Sequence, residues 1–214
     1  MPFVVAAPSG TGKTTVCRRV VVRDPDVELS VSHTTRGRRP GEEHGIAYHF
    51  VTPAVFQAMV DEKEFLEWAE YHGNRYGTSW AALEAPLARG QDVLLEIEVQ
   101  GARQVRERRS DARLIFLIPP SMAVLETRLR QRGTETEEAV AGRLALARSE
   151  LAVADGLFDY AVVNDDLERC VAEVSEILQA EREGRTAELR ARFDPATALA
   201  GLRRALPPRN DRIP

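Results

Sequence analysis

Cysteine is nearly absent from this chain: Cys17 and Cys170 are the only two in 214 residues, with no CxxC and no paired spacing. That excludes a disulfide scaffold and a cysteine-built zinc site, and two reduced thiols in apolar surroundings are expected. Histidine is sparse as well, and His33, His44, His49 and His72 show no metal-ligand spacing, which assigns them to surface or loop positions. There is no excess of basic charge. At a net charge of −4 the chain lacks the field that general nucleic-acid binding uses, so an anionic ligand must be gripped by locally placed arginines. Long apolar runs are missing too, the N-terminal one from Phe3 to Ala6 being far too short for a signal peptide or a spanning helix. A cytoplasmic protein is expected, without membrane or nucleic-acid partners and with no obligate protein partner evident. Internal repeats and low-complexity linkers are also absent. The remainder is ordinary for a soluble globular chain, at 43% apolar and 29% charged residues, and long enough for one sizeable core or a core with insertions.

The chain is organised around its start. Phe3–Ala6 reads as a buried parallel strand, followed by Ala7-Pro8-Ser9-Gly10-Thr11-Gly12-Lys13-Thr14-Thr15 and a helical pattern. Strand, glycine-bearing turn and helix in that order describe a P-loop. Its backbone N–H groups cradle a phosphate, Lys13 reaches the β/γ oxygens, and the Thr14 hydroxyl holds Mg²⁺. Ala7 stands where the usual pattern has glycine, a cost only if that position needs positive φ.

Further on, periodicity predicts helices over 14–22, 53–60 (capped by Thr52 with Pro53 at N1), 79–89, 102–109, 121–129, 137–154 and from Leu167 into the 180s. Strands are expected at 27–31, 48–51, 65–71, 75–78, 92–97, 113–118 and 160–163. Four or five of the strands are apolar throughout and alternate with helices, the signature of a parallel α/β sheet covered on both faces. Residues 32–85 break this rhythm and read as an insertion. Arg185–Phe193 is read as an extension of the preceding helix, Ala196–Leu206 as another helix, and Pro207–Pro214 as a frayed tail.

The densest polar stretch is Ser30-Val31-Ser32-His33-Thr34-Thr35-Arg36-Gly37-Arg38-Arg39-Pro40-Gly41-Glu42-Glu43. It can be a solvated loop, but hydroxyls beside arginines before a Pro-Gly turn also suit bidentate gripping of phosphate.

Set beside the P-loop, this stretch resembles the guanylate kinase family. The resemblance continues in order through Tyr48, Glu67-Trp68, Gly73-Asn74-Arg75-Tyr76-Gly77, Glu96-Ile97-Glu98-Val99-Gln100-Gly101, Arg132-Gly133-Thr134-Glu135-Thr136-Glu137, Arg143 and Asn164-Asp165, covering roughly residues 3 to 180. It implies transfer of a phosphoryl group from ATP to GMP (dGMP included) with Mg²⁺, giving ADP and GDP. The implied layout is a P-loop core (1–31, 86–131 and 155–184), a mixed α/β GMP-binding insertion (32–85), a lid with its following helix (132–154) and a C-terminal extension (185–214). By resemblance Arg39, Arg132 and Arg143 join Lys13 on the transferring group, Arg36, Tyr48 and Tyr76 hold the GMP phosphate, and Asn164 and Asp165 lie near the adenine.

The chemistry agrees with these residue types. Phosphoryl transfer needs alignment and charge neutralisation more than covalent help, and a finger-type arginine is worth on the order of 10³–10⁵ in rate. Guanine offers two adjacent donors where adenine has none, so a carboxylate can accept both. Glu67 is the first candidate reader and Glu98 the second, with the Ser32 and Thr78 hydroxyls completing the base site. Glu96, at a strand's C-terminal end, suits Mg²⁺ through water or an arginine partner. The attacking phosphate oxygen is already anionic, so no histidine is assigned to catalysis. Two rivals share the pattern. A ribose 1,5-bisphosphate phosphokinase would have no use for a guanine-reading carboxylate, and a non-catalytic phosphopeptide-binding module of guanylate-kinase type would have none for Lys13, Thr14, Arg132 and Arg143.

Overall fold

The computed structural model describes residues 1–71, 73–131 and 136–203. Two compact units divide the chain: Met1–Ala6 with Thr14–Leu114, and Ala7–Lys13 with the residues from Ile115 onward.

In the first unit, β1 (Pro2–Ala6), β2 (Val27–Leu29) and β7 (Asp92–Glu96) are parallel in the order β2-β7-β1, with Val4 opposite Leu95 and Val27 opposite Asp92. Phe3 to Ala6 and Val93 to Leu95 are fully buried, as strands covered on both faces must be, which is why they read as unbroken apolar runs. Helix α1 (Lys13–Arg23) buries Val16, Cys17 and Val20. The helix ends where Asp24 takes over as a turn former, its carboxylate accepting from the Asp26 amide.

A second sheet in the same unit has the order β4-β3-β6-β5, built from β3 (His33–Thr34), β4 (His49–Phe50), β5 (Phe65–Tyr71) and β6 (Asn74–Ser79). Its antiparallel register sets Glu67 opposite Thr78, Ala69 and Thr34 opposite Tyr76, and Trp68 and His33 opposite Gly77. Directly opposed residues share a face. Thr34, Glu67, Tyr76 and Thr78 therefore lie on one side, and His33, Trp68 and Gly77 on the other. That second side is aromatic. Phe56 of helix α2 (Pro53–Asp61) stacks on Phe65 at 4.5 Å, and a Cβ at Gly77 would come within 2.9 Å of Phe65 and Trp68. Thr52 caps α2 and Ser79 caps α3 (Trp80–Ala88), each hydroxyl accepting an orphan N–H, a contribution of about 1 kcal/mol per cap. Helix α4 (Val99–Arg108) closes the unit.

His33 stacks on His49 at 4.6 Å and meets Phe65 edge-on, with its Nδ1 buried and without a hydrogen-bond partner among the described residues. Burial, aided by nearby His49 and His44, lowers its pKa from 6.5 to about 4. Because the folded value lies below the unfolded one, this histidine's contribution to stability is intact above 6.5 and is lost as pH falls towards 4. Urea unfolding midpoints should fall over that window, and His33→Phe should reduce the pH slope by about one proton. Equal slopes in both proteins would contradict this.

In the second unit, β8 (Arg113–Ile118) from Ile115 on pairs in parallel with β9 (Tyr160–Val163). Leu125 and Leu129 of α5 (Met122–Arg130) pack with Val140, Leu144 and Ala147 of α6 (Glu137–Val153). Helix α7 (Leu167–Glu183) buries Cys170, whose thiol is pushed up to about 12 by burial and is inert at neutral pH. The expected helical extension through Phe193 does not occur. Gly184 takes φ +70 and caps α7, and a separate α8 (Ala187–Arg192) follows. The break lets the Phe193 carbonyl accept the Ala161 N–H at 2.8 Å, on β9. Helix α9 (Pro195–Arg203) begins where the last helix was expected, and that helix's end at Leu206 lies outside the described residues. Among the described residues no helix is long and apolar enough to cross a membrane.

Candidate active site

The loop after β1 is shaped by two glycines. Gly10 and Gly12 have φ of +92 and +99, a region that strains any side chain. A Cβ on Gly10 would press Leu129 at 2.9 Å, and one on Gly12 would stand 2.7 Å from Asn164 Nδ2. Ala7 is not among the residues with positive φ and is 1% exposed, so its methyl costs nothing. Pro8 accepts the Thr11 N–H at 3.1 Å, closing the turn. The Thr11 carbonyl in turn accepts from Asn164 Nδ2 at 2.7 Å, and Arg128 donates to both Thr11 O and Asn164 O. Arg143, on α6, donates to Ser9 Oγ at 2.6 Å. The loop is thus braced from β9's end, from α5 and from α6, all within the second unit.

Lys13 then opens α1, at the positive end of its dipole, with Thr14 and Thr15 exposed behind it. In the first unit the Thr14 hydroxyl donates to the Glu96 carboxylate at the C-terminal end of β7. Glu98, half-buried, stands at the N-cap position of α4 without a capping hydrogen bond.

On the acidic and hydroxyl-bearing face of the second sheet, three residues from separate stretches meet. Glu67 is only 4% exposed, and its Oε1 accepts the Thr78 N–H at 2.9 Å. Ser32 and Thr78 share a hydroxyl–hydroxyl hydrogen bond at 3.1 Å. Nearby, Arg36 is held bidentately by Glu42, at 2.8 and 3.0 Å, with its guanidinium 5.5 Å from the Tyr48 ring centroid. Glu42 and, behind it, Tyr76 hold the Arg36 guanidinium above its ordinary pKa, and Arg36 keeps the Glu42 carboxyl below the usual range. Glu42 also accepts the Arg39 N–H at 2.8 Å, while the Arg39 side chain is exposed.

Asp165 faces solvent in an ion pair with Arg169, whose hydrogen bond lowers its pKa. Arg132 lies outside the described residues. The sequence alone assigns no role to Glu42 or Arg128. Glu42 sits inside the polar stretch six residues after Arg36, a spacing that a turn brings together, whereas Arg128 looks like any basic residue in a helix's last turn.

A buried parallel strand, a loop with two left-handed glycines, and a helix opening on Lys-Thr-Thr belong to a mixed α/β protein with a parallel sheet flanked by helices. Comparison with known proteins narrows the class. Residues 1–181 match the family described as Guanylate kinase. A guanylate kinase of Alkalilimnicola ehrlichii is 51% identical over 181 residues, 84% of this chain and 88% of that protein. One of Zymomonas mobilis is 48% identical over 84% of this chain and 83% of its own length. The crystal structure of guanylate kinase from Anaplasma phagocytophilum superposes with a TM-score of 0.70 at 34% identity, covering 85% of each chain. The chain belongs to the guanylate kinase family.

Proposed function

We propose that the chain transfers the γ-phosphoryl group of ATP to GMP, and to dGMP, with Mg²⁺, yielding ADP and GDP. The observation that carries this reading is Glu67. A buried carboxylate, fixed by the Thr78 N–H beside two hydroxyls, suits a base with two adjacent donors, and a site built that way rejects analogues lacking them. Arg36, Tyr48 and Tyr76 are the phosphate end of the same site, and Lys13 with the loop amides takes the donor's phosphates. The arginines Arg39, Arg132 and Arg143 neutralise the transferring group. Thr14 and Glu96 supply hard oxygen donors that fit Mg²⁺, which takes few protein ligands alongside phosphate and water, and the ion would neutralise charge developing on the phosphates.

In this reading residues 32–85 are the GMP-binding insertion, 132–154 the lid and following helix, and 1–31, 86–131 and 155–184 the core, with 185–214 an extension. Asn164 and Asp165 border the adenine. The enzyme works in the cytoplasm on small molecules, a setting supported by two buried free thiols and a net charge of −4.

A coupled assay with ATP and each nucleoside monophosphate tests the reaction. GMP and dGMP should turn over and AMP, CMP and UMP should not. Phosphorylation of ribose 1,5-bisphosphate in place of GMP would overturn the reading.

A further inference from the structure

Among the described residues strand β5 lies at the edge of its sheet, so one row of its backbone N–H and C=O groups has no neighbouring strand there. Helix α4 supplies what is missing. Gln104 accepts the Trp68 N–H on its Oε1 at 3.2 Å and donates its Nε2 to the Trp68 carbonyl at 2.7 Å, so one amide side chain does the work of a strand residue. One turn further, Arg108 Nη1 donates to the carbonyls of Leu66 at 2.6 Å and Phe65 at 3.1 Å. One turn earlier, Gly101 faces Glu67 so closely that a Cβ there would stand 2.2 Å from Oε2 and 3.0 Å from Cδ.

Residues 101, 104 and 108 fall on one helical stripe. They contact β5 on both sides of Glu67, whose other carboxylate oxygen is held by Thr78. The β5 register shifts between Phe65 and Glu67, the point where the ladder alone fixes the strand least, and Arg108 grips it there.

We infer that Gly101, Gln104 and Arg108 are positioning residues that aim the Glu67 carboxylate and so set selectivity for guanine. Gly101 leaves the space that the carboxylate fills, and Gln104 and Arg108 fix the backbone it hangs from. The inference rests on Glu67 reading the base, as proposed above.

The test compares Gln104→Leu, Gly101→Ala, Arg108→Ala and Arg108→Lys with Glu67→Gln, measuring kcat, KM for GMP and for ATP, and binding of GMP and of IMP, which lacks the 2-amino donor. Gln104→Leu and Gly101→Ala should each raise KM for GMP about tenfold, with kcat and KM for ATP within about twofold of the parent. Preference for GMP over IMP should shrink, because misaiming costs the second donor more than the first. Arg108→Lys should recover what Arg108→Ala loses, which keeps the test open if Gln104→Leu folds poorly. Unchanged GMP binding in Gln104→Leu and Gly101→Ala, with Glu67→Gln impaired, overturns the positioning role alone. So does an equal loss of GMP and IMP binding. Unchanged GMP binding in Glu67→Gln overturns the base-reading assignment, and the positioning role falls with it.

Discussion

Lys13→Ala should lose turnover by about 10³-fold or more while binding GMP nearly as tightly as the parent protein. The loss is large because phosphoryl transfer leaves the protein little to do beyond holding charge in place. Anionic oxygens on the transferring group need fixed positive partners through the transition state. The loop offers backbone amides and a helix dipole, and Lys13 is the full charge at that end of α1. Alanine keeps the helix, since it is the best helix former, so the fold of the loop is not put at risk. Gly10 and Gly12 retain their conformations, and the Asn164 and Arg128 bonds to Thr11 do not involve residue 13. GMP binding is a separate matter, because its candidate groups are Ser32, Arg36, Tyr48, Glu67, Tyr76, Thr78 and, as second reader, Glu98. Rapid-quench turnover together with calorimetric GMP titration of the same variant checks both halves. A comparable collapse of GMP binding would show that Lys13 serves the acceptor as well, and the division of roles would be wrong.

How much of this could be read from the chain alone depends on what each residue faces. Strands β7, β8 and β9 were visible because residues such as Leu94 and Phe116 are buried on both sides and announce themselves as apolar runs. The caps at Thr52 and Ser79 were legible because a hydroxyl before an apolar-periodic segment has a defined job. Strand β3 was hidden. Its Thr34 shares the face on which the hydroxyls and Glu67 gather, and its His33 packs against His49 and Phe65, so no apolar alternation marks it. Helix α8 is not legible in the sequence because Gly184 inside a helix-forming run suits either a tolerated interior glycine or a left-handed cap, and the structure makes it the cap, at φ +70 with its N–H on the carbonyls of Ala180 and Glu181. In the site, residue types were readable and partners were not. Arg36 stood out as a phosphate ligand, yet its pairing with Glu42 depends on a turn through Gly41 at φ +82. Gln104 and Arg108 carry no motif at all, because they act on backbone groups of a strand more than thirty residues away in sequence.

Glu67→Gln should raise KM for GMP by about 10²-fold or more and leave KM for ATP little changed. The two side chains have the same shape, so the outcome turns on chemistry. One oxygen of Glu67 is committed to the Thr78 N–H at 2.9 Å, a bond the Gln carbonyl can keep. Keeping it puts the new NH₂ group at the Oε2 position, beside Gly101, where a donor would face the donors of guanine. Turning the amide over restores an acceptor for the base and sets NH₂ against the Thr78 N–H instead. Either way one buried donor faces another, at 4% exposure, with little water to relieve it. Hydrogen bonds to a charged group contribute about 1.5–3 kcal/mol each, so losing one and straining the other accounts for the expected factor. Glu67→Asp offers a second reading of the same distance. It keeps the charge and shortens the reach by one methylene, and it should fall between the parent and Gln. An unchanged KM for GMP in Glu67→Gln would remove this carboxylate from the base site, and Glu98, the other candidate reader, would be the next to substitute.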